Sequence, residues 1–131
     1  MSRVVVITGA GGALGSALSL QFASEPDTDL VLSDISAASL EDTVAGLPQL
    51  ANPVETVVAD VSDFGQVEAV AQRALERFGR IDVLISNAGV LSPNGRIHNL
   101  STADWQRAFS VNVLGAVHGI RAVVPAMRAQ A

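Results

Sequence analysis

Several residues in this chain have types and spacings that could do chemistry. The first group is Thr8-Gly9-Ala10-Gly11-Gly12-Ala13-Leu14-Gly15, directly after the apolar run Val4-Val5-Val6-Ile7. Glycines at the end of a strand let the backbone turn tightly and approach a pyrophosphate, whose charge is favoured at the positive end of the following helix. A glycine-rich turn alone also serves any tight strand-to-helix connection. Asp34 ends a second apolar run. A carboxylate there accepts hydrogen bonds from ribose hydroxyls and repels a 2′-phosphate. No basic residue lies in the glycine turn or directly after Asp34, so the pattern favours NAD over NADP. Asp60-Val61 and Asn87-Ala88-Gly89 follow two further apolar runs, and Asn112 interrupts an apolar helical stretch. Asn is unfavourable there unless its amide is satisfied.

Other chemistries lack their residues. There is no Cys, hence no disulfide framework, thiolate or cysteine metal site. His98 and His118 have no metal-ligand spacing and no accompanying acidic cluster, so no metal site is expected. Ser86 and Ser110 have no neighbouring His and acid to activate them. The chain contains no Tyr, and all eight basic residues are Arg, so it contains no Lys either. A net charge of -5 gives no electrostatic footprint for nucleic acid or an anionic membrane. The longest apolar stretch, near Val111 to Met127, is broken by Asn112, His118, Arg121 and Pro125. No uninterrupted run reaches membrane length, and no signal peptide is visible. A cytoplasmic location is the expectation.

These residues need elements to hold them. Residues 4–8 read as a buried strand, and Leu14, Ala17, Leu18 and Phe22 recur at helical spacing over about 13–23. Leu30 to Leu32 forms a second strand ending at Asp34. Ser36 caps a helix to about Ala45, stopped by Gly46 and Pro48. Val54 to Ala59 is a third strand, and Ser62 or Asp63 caps a third helix. Its stripe is Val67, Val70, Ala71, Ala74, Leu75 and Phe78, and Gly79 ends it. Ile81 to Ser86 is a fourth strand, and Pro93-Asn94-Gly95 marks a turn in the loop that follows. Ser101 to Asp104 resembles a capping box opening a last helix from about Thr102 toward Arg128.

Alternating strands and helices predict a doubly wound parallel α/β sheet, with helices on both faces and strand order 3-2-1-4. Gly9 and Asn87 then flank the crevice at the carboxyl ends of the strands. The whole of residues 1–131 is expected to form one such domain. Trp105, Phe109 and Val113 share a helical face and are expected in the core, with the Arg residues on solvated surface. The last helix is apolar nearly all round and needs cover on several sides. The fourth strand is an open edge. The chain reads as though more protein should follow Ala131, or a partner should stand in its place.

The motifs Thr8 to Gly15, Asp60-Val61, Asn87-Ala88-Gly89 and Asn112-Val113 resemble, in order and spacing, those of the short-chain dehydrogenase/reductase family. The resemblance covers essentially the whole chain and implies the N-terminal, cofactor-binding half of the family's Rossmann-like fold, incomplete relative to the full fold. Ala13 stands where the family's middle glycine falls. The resemblance implies a cofactor-binding set of Thr8, Gly9, Gly11, Gly12, Ala13, Leu14, Gly15, Asp34, Ile35, Asp60, Val61, Asn87, Ala88 and Gly89. Within it, Asp60 would bond the adenine amino group, with Val61 beside the ring. Asn112 would hold a water in a proton relay. The family's catalytic Ser, Tyr and Lys would lie beyond this chain. The implied function is hydride transfer between NAD and a small alcohol or ketone. The isolated chain is expected to be inactive. Alternatives are a non-catalytic NAD-binding module or an inactive truncation product. The apolar last helix resembles the one family members use at subunit contacts, implying a homo-oligomer or a completing segment.

Overall fold

A computed structural model describes residues 1–49 and 52–131. In chain order the elements are β1 (Arg3–Thr8), α1 (Ala13–Ala23), β2 (Thr28–Asp34), α2 (Ala37–Ala45), β3 (Val54–Val58), α3 (Phe64–Phe78) and β4 (Val83–Ile85). A short 3-10 turn at Ile97–Asn99, α4 (Thr102–Phe109), a π turn at Ser110–Leu114 and α5 (Gly115–Gln130) complete the described chain. The four strands are parallel in the order β3-β2-β1-β4, as the alternation predicts.

The core lies on both faces of β1 and β2. Val4, Val6 and Val31 face α3 and α5, where they meet Val70, Ala71, Ala74 and Val123. Val5, Ile7, Leu30 and Leu32 face the other way, onto Ala23 and Leu40. Burial on both sides is why these strands are continuous apolar runs rather than alternating ones. Each fully buried aliphatic side chain contributes about 1.5–3 kcal/mol.

Local signals set the helix ends. The Ser36 hydroxyl accepts from Ser39 N–H at the start of α2. Of the two candidate caps for α3, Asp63 is the one used. Gly79 closes α3 at φ +78, a conformation that costs an L side chain dearly. Ser101 and Asp104 form a full capping box on α4.

Three expectations need correction. The strand expected over 81–86 pairs only over Val83–Ile85. Ile81 is fully buried there, but the side chain of Gln130 bonds its N–H and C=O in place of a neighbouring strand. Pro93 makes a bend rather than a hydrogen-bonded turn. Trp105, Phe109 and Val113 are not core: they are 39%, 55% and 48% exposed. The helix presents Gly115, Gly119 and Val123 inward, so the face carrying the aromatics points away from the sheet. The small residues win because they let the backbone approach closely. A Cβ on Gly119 would lie 3.0 Å from Leu84 Cδ2. Arg3, Arg73, Arg77 and Arg80 keep to the surface, as expected, and pair there: Arg3 with Glu25, Arg73 and Arg77 with Glu55, and Arg80 with Asp82.

Thr102–Gln130 runs as one helix of 29 residues through the π turn. By length and composition it could cross a membrane. In the fold described here its inner stripe packs on α3 and the sheet.

Candidate nucleotide-binding site

The carboxyl ends of the four strands meet in a cleft of about 230 Å³. Its geometry begins at the glycine turn. Gly9 has φ +65, and its carbonyl accepts from Gly12 N–H and from Asn87 Nδ2, each at 3.1 Å. A Cβ on Gly9 would lie 2.8 Å from Ala88 Cα, so only glycine lets β1 turn this close to the chain after β4. Thr8 is buried beside it, and its hydroxyl accepts from the N–H groups of Asn87 and Ala88. Thr8 and Asn87 therefore clasp the ends of β1 and β4 together.

Gly12 is the N-cap of α1 and supplies no side-chain cap. The side chains of Ser36, Asp63 and Ser101 cap α2, α3 and α4. The first N–H groups of a helix have no partner within it, so at α1 they are left for an anion. A Cβ on Gly12 would meet only Gly9 O, at 3.5 Å; nothing in the protein's own packing demands glycine there. Ala13 is exposed as the first helical residue. Its methyl group needs no room inside the turn. These donors, and the open space before them, fit the pyrophosphate of a dinucleotide.

Asp34 bridges the glycine turn and α2. Its Oδ2 accepts from Gly11 N–H at 2.9 Å and its Oδ1 from Ser36 N–H at 3.0 Å. A Cβ on Gly11 would lie 2.5 Å from Ser39 Cβ and 3.0 Å from Asp34 Oδ2. The carboxylate is thus fixed at the rim, with exposed Ile35 next to it.

Asp60 sits across the cleft. Its Oδ1 accepts from the Ser62 hydroxyl at 2.7 Å and from Ser62 N–H at 2.9 Å. The hydroxyl contact, then the N–H, hold the carboxyl below its ordinary range against a small burial effect, and the Arg107 charge adds to them. The anionic form is the one that accepts from an amino group.

Of the residues singled out in the sequence, Gly9, Asp34, Ile35, Asp60, Val61, Ala88 and Gly89 line this cleft. Gly11, Gly12, Ala13, Leu14 and Gly15 form the turn and helix start beside it. Asn112 stands apart from the wall. Its Oδ1 accepts from Val90 N–H at 2.7 Å and its Nδ2 donates to Val90 C=O at 2.9 Å. The amide is satisfied by pinning the chain after Gly89, in the middle of the π turn. Val90, Arg107 and Val111 also line the cleft without a role read from the sequence, as does Ser110, noted there only as an unactivated hydroxyl. Arg107 and Val111 lie four residues apart, one helical turn. Only the fold shows that this turn faces the strand ends.

Residues 3–131 match a family model described as short chain dehydrogenase. The chain belongs to the short-chain dehydrogenase family. Levodione reductase of Leifsonia aquatica is 39% identical over 130 residues, covering 98% of this chain and 48% of that protein. 2-(R)-hydroxypropyl-CoM dehydrogenase of Xanthobacter autotrophicus is 39% identical over 133 residues, covering 99% and 53%. The crystal structure of levodione reductase aligns with a TM-score of 0.92, over 98% of this chain and 50% of that one. A short-chain dehydrogenase/reductase from Burkholderia phymatum, solved in complex with NAD, aligns at 40% identity with a TM-score of 0.88, over 98% and 45%. The chain spans about half the length of the curated relatives it matches. The short-chain dehydrogenases are NAD(P)-dependent oxidoreductases acting on small molecules.

Proposed function

We propose that residues 1–131 form an NAD-binding domain, the cofactor-holding half of a short-chain alcohol dehydrogenase or ketone reductase. The observation that carries this reading is the Asp34 carboxylate, fixed by Gly11 N–H and Ser36 N–H at the rim of the cleft. A carboxylate held there accepts from both adenosine ribose hydroxyls and repels a 2′-phosphate. The first N–H groups of α1 hold the pyrophosphate, with Gly12 and Ala13 beside it and Leu14 and Gly15 one step along. Asp60 accepts from the adenine amino group, and Val61 and Ile35 flank the base. Thr8, Asn87, Ala88 and Gly89 shape the floor that the dinucleotide crosses. Bound NAD supplies a hydride acceptor for an alcohol carbon, and its reduced form a hydride donor for a carbonyl carbon.

The proton on the substrate oxygen needs a group with a matched pKa. These residues hold no Tyr and no Lys, and the Asn112 amide is bonded to Val90. A chain of these 131 residues, assayed alone, is expected to bind NAD without oxidising alcohols.

Calorimetric titration tests the reading. NAD should bind more tightly than NADP, and Asp34→Ala should narrow the difference by about tenfold, the scale of a charge-assisted contact. An unchanged ratio in Asp34→Ala removes Asp34 from this role. A folded chain that binds neither dinucleotide sinks the reading altogether.

A further inference from the structure

The base end of the cleft is one short turn between β3 and α3, and its groups are held one by one. Asp60 N–H donates to Gln66 Oε1 at 2.8 Å. The Asp60 carbonyl accepts from Asp63 N–H at 3.1 Å. The Asp60 carboxylate is held by Ser62, as described above. These contacts come from the turn itself or from α3. The remaining hold comes from a different element. His118, on α5, places Nδ1 2.8 Å from the Val61 carbonyl.

A carbonyl oxygen only accepts, so His118 Nδ1 carries the hydrogen. Both the neutral ring and the imidazolium can donate from that atom. The ring is confined as well. It tilts against Phe64 with centroids 5.7 Å apart, and the Arg121 guanidinium lies 3.9 Å from the centre of the Phe64 ring. One helical turn earlier, Gly115 lets α5 press onto the same residue. A Cβ there would lie 2.7 Å from Val61 Cγ2. Val61 is thus gripped by its carbonyl and seated by its side chain. Among the described residues its own N–H has no acceptor, and Val61 is one of the residues that line the cleft.

We propose that His118 is a positioning residue for the base-binding end of the cleft. By gripping the Val61 carbonyl it fixes the Val61–Ser62 peptide, whose Ser62 N–H holds the Asp60 carboxylate, and so limits rotation about Val61, so that the Val61 N–H and the Asp60 carboxylate meet one edge of a purine together. An acceptor beside a donor matches a base with an amino group next to a bare ring nitrogen, and mismatches one with a keto group next to a ring N–H. This rests on the reading that the cleft takes the adenosine half of a dinucleotide. The grip adds no contact to the ligand. It removes freedom that binding would otherwise have to freeze.

The experiment compares wild type, His118→Leu and His118→Asn by calorimetry with ADP-ribose and with its hypoxanthine analogue. His118→Leu should weaken ADP-ribose by about fivefold, the scale of one hydrogen bond, and shrink its preference over the analogue. His118→Asn, whose amide nitrogen reaches roughly the place of Nδ1, should restore both. A His118→Leu chain with a lower melting temperature but an unchanged preference overturns the proposal, because His118 would then only support the fold. If His118→Leu does not fold, the ring nitrogens of the wild type decide by NMR with the ring neutral. A hydrogen on Nδ1 supports the grip, and a hydrogen on Nε2 overturns it. Wild type that binds no ADP-ribose overturns the cleft reading itself, a result distinct from binding with unchanged preference.

Discussion

A methyl group on Gly15 would lie 2.0 Å from the Gly9 carbonyl oxygen and 2.8 Å from Ala10 Cα. Those are backbone atoms, and they cannot swing aside. Gly15→Ala must therefore push α1 away from the end of β1, at a cost of about 1–3 kcal/mol. Gly12→Ala makes a useful contrast. Its methyl would find only Gly9 O, at an ordinary 3.5 Å, so the fold should lose less than about 1 kcal/mol. The same methyl would stand where the α1 amides meet a phosphate. Chemical denaturation should therefore separate the two variants in one direction and NAD titration in the other. Gly15→Ala is the stability mutant, and Gly12→Ala is the binding mutant with a near-normal midpoint. Equal loss of binding and stability in both would show that the turn has no division of labour. At this scale the sequence is readable where a role depends on residue type alone, as for Gly9, whose positive φ and close approach to Ala88 only glycine allows. It is silent where the role depends on a distant partner. In the sequence His118 shows only that it lacks a metal-ligand spacing, because its partner Val61 is 57 residues away.

The long helix holds β4 by two carboxamides. Gln130 bonds the N–H and C=O of Ile81, just before the strand, and Asn112 bonds those of Val90, just after it. Each side chain imitates a neighbouring strand for one residue. β4 needs this, because among the described residues its only strand partner is β1. Gln130→Ala should cost about 1–2 kcal/mol, since Ile81 is fully buried and its peptide groups would lose their partners. Asn112→Ala should cost less, because Val90 is only partly buried and water can replace the amide. Hydrogen exchange checks both: faster exchange at Ile81 in one variant and at Val90 in the other. If neither amide speeds up, the clamps do not hold the strand. The element pattern was legible because caps and periodicities are local: Ser36, Asp63, Gly79 and the Ser101 box all act within a turn or two. The π turn and the clamps were not legible. Asn112 and Gln130 reach partners 22 and 49 residues away, and no spacing rule carries that far. The aromatic face of α4 was misjudged for the same reason. Periodicity shows which residues share a face, and only the packing shows which way that face points.

For the whole molecule, the sheet is tied across its width by buried aliphatics and at its amino-terminal edge by charge. Asp82 receives Val4 N–H at 2.8 Å and a two-pronged contact from Arg80. Arg80 is the main reason the Asp82 carboxyl lies below its ordinary value of 3.8; Val4 N–H lowers it further, against a raising effect of burial. Asp60 is lowered in the same sense at the opposite, carboxyl-terminal end, chiefly by Ser62. A carboxyl whose pKa is lower folded than unfolded favours the folded state once the unfolded chain has also lost its proton. Its contribution is fully present above a pH of about 5 and drains away as the pH falls through the lowered folded value. Stability should therefore be flat in this respect from neutral pH down to about 5, then drop. Urea midpoints measured across that range test the sign. Asp82→Asn should lower the neutral-pH midpoint and flatten the acid limb, because the group that takes up the proton is gone. Asp60→Asn should flatten it as well, and the two effects should add, since the sites lie at opposite ends of the sheet. An acid limb unchanged in both variants would mean that other carboxylates drive the loss. The two ends would then be held by packing rather than by these charges.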